Sequence, residues 1–558
     1  MERILKKGGT LFLSIPFRDK EKLNFLVTRR VWDVGKKCYT LPLSTAEDLH
    51  KMFPGAETNK AFVDYLKERR KDFRALSLVK SGNLTLEESS FKEIKNNQLL
   101  KGYQETGITF LYKTGRALLA DEMGLGKAVM SLATVLQFKR EKNIRKVLIV
   151  CPNSIKFSVW QKEVEKWTTE NCLVIDGSKE EKLEQLDSLD EHLFVIINYE
   201  AVRIFYKQLQ AWKPDLVILD ECQAIKNRRA KQTQAVKMID ASYRILLTGT
   251  PILNRSEELW SLLNYIDPIY WSSYSKFLDR FCIVEDKYYG RRRPIRVVTG
   301  NQNVGELQEK IFPYYLRRTK AEVLNDLPER IYETRLLSLL PEQRTTYNDF
   351  VEELRAEIAG KEIKINRQVA ATKILRLLEV CDGLSVLGGE DISAKLDESV
   401  NIFLELQKEH KMVFFTWFVQ TARSLAERLR KLKFDVVEID GKTTTKERTE
   451  LIERFQEDKN CRAFIATIST CGLGLNLTAA DVCVFVSRSY VPAMNDQSEA
   501  RLHRHGQRNS VNIITLVCEG TVEEKVSKLL EKKKNIFEEI FQDEKRIEQN
   551  FDSLLKRV

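Results

Sequence analysis

Two stretches of this chain alternate short apolar runs with amphipathic segments, and this alternation constrains the fold more than any other feature. Between residues 98 and 310 the apolar runs include ALLA, KVLIVCP, LFVIINYE, LVILDE and YRILLTGTP. The pattern returns between 396 and 520 with KMVFFTW, DVVEID, AFIATI, VCVFVS and VNIITLV. Strands that alternate with helices indicate a parallel sheet covered on both faces. The sequence therefore predicts two α/β domains.

The remaining segments complete a predicted order of five regions. We expect a small α+β domain at 1–90, a first α/β domain with a helical insertion at 91–330, a helical linker at 331–395, a second α/β domain at 396–520 and C-terminal helices at 521–558. The C-terminal segment has apolar residues at helical spacing and no helix breaker, so it predicts one or two long helices that pack back on the body.

Composition excludes some functions and permits others. The net charge of +11 permits a polyanionic partner, and the basic runs KERRKDFR, KNRRAKQ and YGRRRPIR are either nucleic-acid contacts or solvated surface. The ten cysteines include no Cys-x-x-Cys pair, so we expect no zinc site and an intracellular protein. No apolar run approaches the roughly 20 residues that cross a bilayer, so we expect no membrane role.

The segment LLADEMGLGKAVM places a glycine-rich turn between a predicted strand and a predicted helix. This order surrounds an anion with backbone N–H groups at the positive end of a helix, and Lys127 can reach the outer phosphates of a nucleotide. A Ser or Thr normally follows the lysine and holds magnesium, but here the residue is Ala128. The loop predicts a nucleotide site whose metal coordination is altered or lost.

Two further groups carry charge that a phosphoryl-transfer site requires. In the segment LVILDECQ, the apolar run LVIL is followed by Asp220 and Glu221, which suit magnesium binding and activation of a water molecule. The alternative is that the two acids only stabilise a helix N-terminus. Arg501 and Arg504 are three residues apart, so on a helix they would share one face and converge on one anion. Two solvated arginines remain the alternative for that pair.

These motifs, in this order and spacing, resemble the Swi/Snf branch of the superfamily two helicases. LLKGYQETGITFL is similar to the adenine-recognition motif, DEMGLGK to the phosphate loop, LDECQ to the acid motif and LLTGTPILN to the coupling motif. LRRTKAEVLNDLPE, IDGKTTTKER, STCGLGLNLTAADVCVF and QSEARLHRHGQ are similar to the signatures that follow. The resemblance covers roughly residues 95–540.

The resemblance implies an α/β fold with two RecA-like lobes, each a doubly wound parallel sheet, that bind ATP with Mg²⁺ and move along double-stranded DNA. The implied catalytic residues are Lys127, Asp220, Glu221, Gln497, Arg501 and Arg504, with Asp220 and Glu221 at the metal. The implied nucleotide contacts are Gln104, which would contact the base, Asp121, Met123, Gly124, Leu125, Gly126, Lys127 and Ala128. The implied DNA-binding or coupling residues are Pro152, Asn153, Ser154, Asn198, Tyr199, Thr248, Gly249, Thr250, Trp417, Gly441, Thr467, Gly472 and Gly474.

Two departures from the family pattern bear on activity. Ala128 removes one magnesium ligand, which a water molecule can replace because magnesium often keeps several waters. Retention of the charged residues argues for an active enzyme, although an ATP-binding module with impaired hydrolysis is the alternative. Gln223 replaces the commoner histidine of the acid motif, and its amide can still hydrogen-bond to the coupling motif.

The branch of the family is indicated by VWDVGKKCYTLPLSTAEDLHKMF, residues 31–53. This segment resembles the small module ahead of the motor in annealing helicases, with Tyr39 where a tryptophan is usual. We therefore expect a translocase that rewinds DNA or remodels forks in repair or replication, on double-stranded or forked DNA. The alternatives are a nucleoprotein remodeller, a motor subunit that docks a partner through its C-terminal helices, and, for residues 1–90, a structural cap. The expected location is the nucleus of a eukaryote, or the cytoplasm of a bacterium or a bacterial host.

Overall fold

The computed structural model describes residues 2–249, 256–287, 295–324, 327–359, 367–473, 476–489, 491–504, 506–524 and 527. These residues form two compact units, one within Met1–Thr319 and the other within Lys320–Ile536. We call them the first and second units and describe each by itself. The predicted C-terminal helices of 521–558 lie almost entirely outside the described residues.

The N-terminal part of the first unit is a five-stranded sheet with two helices. The strands are β1 Arg3–Lys7, β2 Thr10–Ser14, β3 Val31–Asp33, β4 Cys38–Pro42 and β5 Glu57–Thr58, in the order β3-β4-β2-β1-β5, and the helices are α1 Ala46–Met52 and α2 Lys60–Lys80. Alternate residues of β2 are buried, because successive side chains of a strand point to opposite faces. Within the segment 31–53 the structure has the short strand β3, a turn, the aromatic strand β4 and the helix α1.

This small domain is attached to the helical insertion of the first α/β domain. Asp48 of α1 accepts hydrogen bonds from Lys310 Nζ at 2.5 Å and from the Tyr270 hydroxyl at 2.8 Å. Thr28 donates through its hydroxyl to the Ile269 carbonyl at 2.9 Å. Part of this attachment is buried, because Tyr270 is only 6% exposed. These contacts favour the structural cap, the alternative for residues 1–90, because they attach the domain to the rest of the first unit.

The first α/β domain contains a seven-stranded parallel sheet. Its strands follow the order β14-β6-β11-β10-β7-β9-β8, and β12 and β13 form a separate antiparallel hairpin. The bounds are β6 Arg116–Leu119, β7 Val147–Cys151, β8 Cys172–Val174, β9 Phe194–Asn198, β10 Leu216–Asp220, β11 Tyr243–Leu247, β12 Cys282–Lys287, β13 Ile295–Asn301 and β14 Tyr315–Leu316. Strands β7 and β9 are buried along their whole length, which explains their continuous apolar sequence.

Helices cover both faces of this sheet. They are α3 Gly102–Thr114, α4 Lys127–Lys142, α5 Lys162–Trp167, α6 Lys179–Asp187, α7 Tyr199–Trp212, α8 Lys231–Met238, α9 Ser256–Ile266, α10 Tyr274–Phe281 and α11 Val304–Ile311. Two large apolar clusters, one on each face, contain alternate residues of the same strands, such as Leu219 and Ile218 of β10. This is the doubly wound arrangement that the alternating sequence predicts.

The second unit contains a six-stranded parallel sheet in the order β15-β20-β19-β16-β18-β17. Its strands are β15 Arg330–Leu337, β16 Met412–Thr416, β17 Val436–Ile439, β18 Ala463–Thr467, β19 Val482–Phe485 and β20 Val511–Cys518. Its helices are α12 Lys320–Val323, α13 Pro341–Ala359, α14 Arg367–Asp382, α15 Ala394–Leu406, α16 Val419–Lys431, α17 Thr445–Glu457 and α18 Pro492–Leu502. The prediction of two α/β domains with parallel sheets is confirmed.

In the part of the chain that the structure describes, no helix combines the length and the apolar composition that crossing a bilayer requires.

Candidate functional site

The predicted catalytic residues of the first unit lie at the carboxyl edge of its parallel sheet. The glycine-rich loop follows β6, the acid pair ends β10, and the coupling motif follows β11. These three strands are neighbours in the sheet, so the loops that leave them converge at one edge. Ligands of open α/β sheets bind at this edge.

The glycine-rich loop has a backbone that other residues would not adopt easily. Gly124 and Gly126 have φ angles of +87° and +82°. A Cβ atom at Gly126 would lie 2.4 Å from Gln104 Nε2, so the close approach of these segments also requires glycine. Helix α4 begins at Lys127, and Gly126 has no side chain to cap it. The first N–H groups of α4 are therefore available to an anion.

The side chain of Lys127 folds back onto its own loop. Its ammonium donates to the carbonyl oxygens of Asp121 at 2.7 Å and Glu122 at 3.3 Å. Burial lowers the pKa of Lys127, and the carboxylates of Glu221, Asp121 and Asp220 offset only part of this effect. An anion at the loop would therefore stabilise the charged form of this lysine.

Two further predicted nucleotide contacts have partners inside the protein. Gln104 accepts a hydrogen bond from Lys101 N and donates to the Leu125 carbonyl at 3.2 Å. Asp121 is fully buried and forms an ion pair with Arg318, with 2.5 Å between Nη2 and Oδ2. Arg318 also donates to the Tyr103 carbonyl. It thus joins the loop to the start of α3, a role that the sequence interpretation did not assign.

Asp220 is held by several hydrogen bonds at the end of β10. Trp160 Nε1 donates to its Oδ2 at 2.8 Å, the Glu221 N–H donates to its Oδ1 at 2.9 Å, and the Tyr199 hydroxyl donates to its carbonyl oxygen at 2.8 Å. Burial and the adjacent Glu221 carboxylate raise the pKa of Asp220 to about 6. The hydrogen bonds orient the Asp220 carboxylate, and its raised pKa indicates that a bound cation would stabilise its charged form.

Trp160 is a positioning residue that the sequence analysis missed. It is fully buried and lies in a π-helical turn, Lys156–Gln161, ahead of α5. In sequence it looks like any other core aromatic of an amphipathic helix. The available signal was its indole N–H, because a buried Trp usually finds an acceptor.

Glu221 is connected to the coupling motif through Gln223. Gln223 Nε2 donates to Glu221 Oε2 at 2.7 Å, and the Thr248 hydroxyl donates to Gln223 Oε1 at 3.0 Å. The predicted hydrogen bond between Gln223 and the coupling motif is confirmed. Glu221 itself has a φ angle of +50°, which is uncommon for a non-glycine residue and is found at functional sites.

No nearby hydroxyl on α4 replaces the one missing at Ala128. The Ser131 hydroxyl, one turn further along α4, donates to the Lys127 carbonyl at 2.6 Å. The next hydroxyl, Thr134, donates to the Met130 carbonyl inside the same helix. Both hydroxyls donate to backbone carbonyls of α4 and are not replacements for the missing ligand. The side-chain oxygens that would bind the metal are therefore the carboxylates of Asp220 and Glu221. This oxygen donor set fits Mg²⁺ with several retained waters.

The predicted DNA-binding or coupling residues of the first unit lie along the same edge. Pro152, Asn153 and Ser154 follow β7, with Asn153 exposed, and Asn198 ends β9. Tyr199 is only 3% exposed, so its hydrogen bond to Asp220 suits coupling better than direct DNA contact.

The coupling motif itself is described only as far as Gly249. A Cβ atom there would lie 2.4 Å from Met123 Cγ, so the motif packs against the glycine-rich loop. Thr250 lies outside the described residues.

The predicted residues of the second unit also follow strand ends. Trp417 follows β16, Gly441 follows β17, and Thr467 ends β18. The Trp417 N–H donates to Ser487 Oγ at 2.8 Å, and the Thr467 hydroxyl lies 3.1 Å from Ser469 Oγ. Gly472 lies in the 3-10 helix after β18, and Gly474 is outside the described residues.

The expectation that Arg501 and Arg504 share one helix face is wrong. Gln497 and Arg501 lie on α18, but this helix ends at Leu502, so Arg504 is in the segment beyond it. The end is fixed by His503, whose carbonyl accepts from Lys320 Nζ and whose Nε2 lies 2.7 Å from the Pro328 carbonyl. These partners are distant in sequence, which is why local periodicity extended the helix too far.

The second unit also contains a buried charged cluster, which is joined to Trp417 through Ser487. The Lys395 ammonium, fully buried, donates to Asp382 at 2.9 Å and Glu523 at 2.5 Å. Burial alone would lower the pKa of Lys395, but the two carboxylates outweigh it and raise this pKa. Potential metal-ligating atoms of Glu523, Cys381 and Cys518 lie within 4.8 Å of one another. Because Lys395 already pairs with Glu523, the cluster suits a structural role, and the absence of zinc stays a prediction.

Comparison with known proteins identifies the two parts of the chain. Residues 103–384 match the SNF2-related domain, and residues 394–506 match the helicase conserved C-terminal domain. The chain is 29% identical over 465 residues to the putative ATP-dependent helicase/translocase YwqA of Bacillus subtilis, covering 80% of this chain and 49% of that protein. It is 28% identical over 520 residues to the DNA excision repair protein ERCC-6 of Homo sapiens, covering 83% of this chain and 34% of that protein.

The match to one solved structure extends over most of this chain and nearly all of the other. The Sulfolobus solfataricus SWI2/SNF2 ATPase core in complex with dsDNA is 28% identical, with a TM-score of 0.40, and the match covers 81% of this chain and 94% of that one. The chain spans about half or less of the length of the curated relatives it matches.

Proposed function

The chain belongs to the SNF2-related family of ATP-dependent helicases and translocases, and from this premise we propose that it is an ATP-driven translocase on double-stranded DNA. The observation that carries the proposal is a continuous set of hydrogen bonds at the carboxyl edge of the first sheet. Tyr199, on the predicted DNA segment, bonds to Asp220, and Glu221 bonds through Gln223 to Thr248 of the coupling motif. Binding at one segment can therefore bias the catalytic pair.

The residues at this edge fit ATP and Mg²⁺. The N–H groups at the start of α4 and the Lys127 ammonium would hold the outer phosphates, and Asp220 with Glu221 would hold the metal. Mg²⁺ supplies positive charge that offsets the charge on the transferring phosphoryl group. Glu221 would orient or deprotonate the attacking water, and the family resemblance assigns to Arg501 and Arg504 the role of supplying further positive charge. Ala128 leaves that coordination position to a water molecule.

For the biological role, we favour DNA rewinding or fork remodelling in repair or replication. Support comes from the small N-terminal domain, in which a turn, the aromatic strand β4 and α1 follow one another as in the module that the segment 31–53 resembles. ERCC-6, a relative, is named as a DNA excision repair protein. Nucleoprotein remodelling is the second candidate, since another relative is the TATA-binding protein-associated factor BTAF1 of Arabidopsis thaliana. An intracellular location and a partner for the C-terminal helices are part of the proposal.

The test is steady-state ATP hydrolysis in magnesium with no DNA and with single-stranded, duplex or forked DNA. The proposal expects turnover that duplex or forked DNA stimulates, and Glu221→Gln provides the background rate. Greater stimulation by forked than by plain duplex DNA would favour fork remodelling. Turnover that no DNA stimulates would overturn the translocase proposal.

The variant Ala128→Thr tests the altered metal position separately. If the wild-type chain hydrolyses ATP, the threonine should increase turnover or lower the magnesium requirement. If the wild-type chain is inactive and Ala128→Thr is active, the native chain is a binding module with impaired hydrolysis.

A further inference from the structure

An open groove of about 780 Å³ lies on the first unit outside the predicted nucleotide and DNA segments. One side is the segment Lys226–Arg229, which leaves the sheet directly after Glu221 and a short 3-10 helix, Cys222–Ile225. The other sides are formed by α9, α10 and the start of β13. The groove thus places Arg296 near the basic segment Lys226–Arg229, which lies about 67 positions earlier in the sequence when counted from Arg229.

Positive charge in this groove is only partly neutralised. Lys226 pairs with Glu258 at 3.5 Å, and Arg296 pairs with Asp279 at 2.6 Å. Arg229 is exposed, and its guanidinium contacts no acceptor in the described ranges. Arg228 has no carboxylate partner among the same residues.

An aromatic side chain holds one of these arginines in place. The Arg228 guanidinium lies 4.0 Å from the centre of the Tyr274 ring, which fixes its position without neutralising its charge. Tyr274 in turn donates to the Glu257 carboxylate at 3.2 Å, so this lining acid is oriented toward the tyrosine hydroxyl. An arginine oriented by a ring and left without a carboxylate is suited to a phosphate, which a guanidinium can bind through two N–H groups.

A further cation contacts Trp260, one of the residues that line the groove. Lys237 lies beneath Trp260, with Nζ 4.9 Å from the ring centre and 2.8 Å from Asn264 Oδ1. Burial, reinforced by the charge of Arg228, lowers the pKa of Lys237 to about 7. A bound anion near Arg228 would relieve this repulsion.

We propose that this groove binds the phosphodiester backbone of a nucleic acid, as a contact additional to the family motifs. The occupant is the duplex DNA of the proposed function, and the inference rests on that function. Backbone contacts of this kind carry no sequence preference and weaken steeply with salt. Because Lys226 is five positions after Glu221, DNA in the groove would also bear on the segment that carries the catalytic acid.

The alternative occupant is an acidic peptide. The groove favours a phosphate backbone, since Arg228 and Arg229, the two lining cations without a carboxylate partner among the described residues, carry the planar guanidinium that binds phosphate through two N–H groups. A duplex also presents closely spaced negative charges along its length, which suits the adjacent cations Arg228 and Arg229.

The experiment measures binding of a fluorescein-labelled duplex to the full chain by fluorescence anisotropy over a range of NaCl concentrations. The variant is Arg229→Glu, and a second is Arg228→Ala combined with Arg229→Ala. The matched control is Arg145→Glu. Arg145 is an exposed arginine just before β7, at the amino ends of the strands of the same sheet. A fluorescein-labelled poly-glutamate peptide is measured in parallel.

We expect Arg229→Glu to weaken duplex binding about three- to tenfold and to reduce the slope of log K against log salt by about one. Arg145→Glu should leave both unchanged. Duplex binding equal in Arg229→Glu and Arg145→Glu would overturn the inference, and so would loss of poly-glutamate binding with duplex binding intact. Hydrolysis in the wild-type chain that no DNA stimulates would instead defeat the proposed function while leaving the binding result interpretable.

Discussion

Two lysines beside the two parallel sheets differ in how their charge is balanced. Lys395 of the second unit is fully buried between Asp382 and Glu523, and its pKa is raised. The Lys127 ammonium of the first unit donates to two backbone carbonyl oxygens of its own loop, and its pKa is lowered because burial outweighs the nearby carboxylates. Among the described residues, two carboxylates pair directly with the Lys395 ammonium and none pairs directly with the Lys127 ammonium. A ligand can therefore supply the anion that Lys127 lacks. Unbalanced charge, more than burial, therefore marks the functional site.

The largest effect is expected from Lys395→Met. Removing this ammonium leaves two carboxylates buried without a cation, which should lower the free energy of unfolding of the second unit by about 3–5 kcal/mol. Urea unfolding followed by circular dichroism measures the loss. The matched variant is Lys127→Met, which should change stability by less than about 1 kcal/mol because water can reach the partly exposed loop. Similar midpoints for both variants would break the comparison between the two lysines.

A third lysine, Lys237, sharpens the comparison because no carboxylate of the described residues pairs with it. Its pKa is about 7 in the folded protein and near its ordinary value of 10.5 in the unfolded chain. Between these values the unfolded chain binds more protons, so stability should rise as pH increases from about 7 to 10.

Lys237→Met should remove most of this rise and stabilise the protein at neutral pH by about 2 kcal/mol, less than the full linkage value because the side chain retains some solvent contact. Thermal unfolding at neutral and alkaline pH measures the difference, with the exposed Lys207→Met as control. An equal stability gain at both pH values would attribute the effect to apolar packing instead.

A smaller effect is expected at the acid pair from Trp160→Phe. This change keeps the buried ring and removes only the N–H that orients Asp220. Loss of an outer partner of a metal ligand typically costs about tenfold, so ATP turnover should fall by about that factor and the magnesium requirement should rise. Trp167→Phe is the control, because Trp167 Nε1 donates to Glu163, outside the site. Equal turnover in the two variants would remove Trp160 from the positioning role.

The smallest effect is expected from Gln223→Leu, which interrupts the connection between Glu221 and Thr248. Turnover stimulated by DNA should fall about three- to fivefold, a typical size for the loss of one coupling contact. Gln223→His, which restores the commoner residue of the family, should retain stimulation. If Gln223→Leu is stimulated as strongly as the wild-type chain, the connection does not transmit DNA binding.

Local patterns were sufficient for the sheets, the glycine-rich loop and the acid pair. Strand β10 is a continuous apolar run that ends in two acids, so both its burial and its polar end are visible in LVILDE. The helix after DEMGLGK is visible for a similar reason, because glycines precede an apolar helical pattern. These features depend on neighbours within a few residues.

Features that depend on distant partners were not visible. Arg318 pairs with Asp121 from 197 residues away, and Trp160 bonds to Asp220 from 60 residues away. The end of α18 is set by contacts with Lys320 and Pro328 that no helical period reveals. Such partners differ little in sequence from surface charges or core aromatics.

The sequence by itself determined two parallel sheets, the edge at which ligands bind and the residue types at that edge, because strand and helix periodicity and turn chemistry are local properties. Only the tertiary structure decided which charges the chain neutralises and which it leaves open. Lys395 and Lys127 are both lysines at the start of helices, yet folding brings two carboxylates into direct contact with the first ammonium, whereas the second donates to backbone carbonyls and has carboxylates only at longer range. Electrostatic balance depends on distances in space, and these are set by the packing of the whole chain.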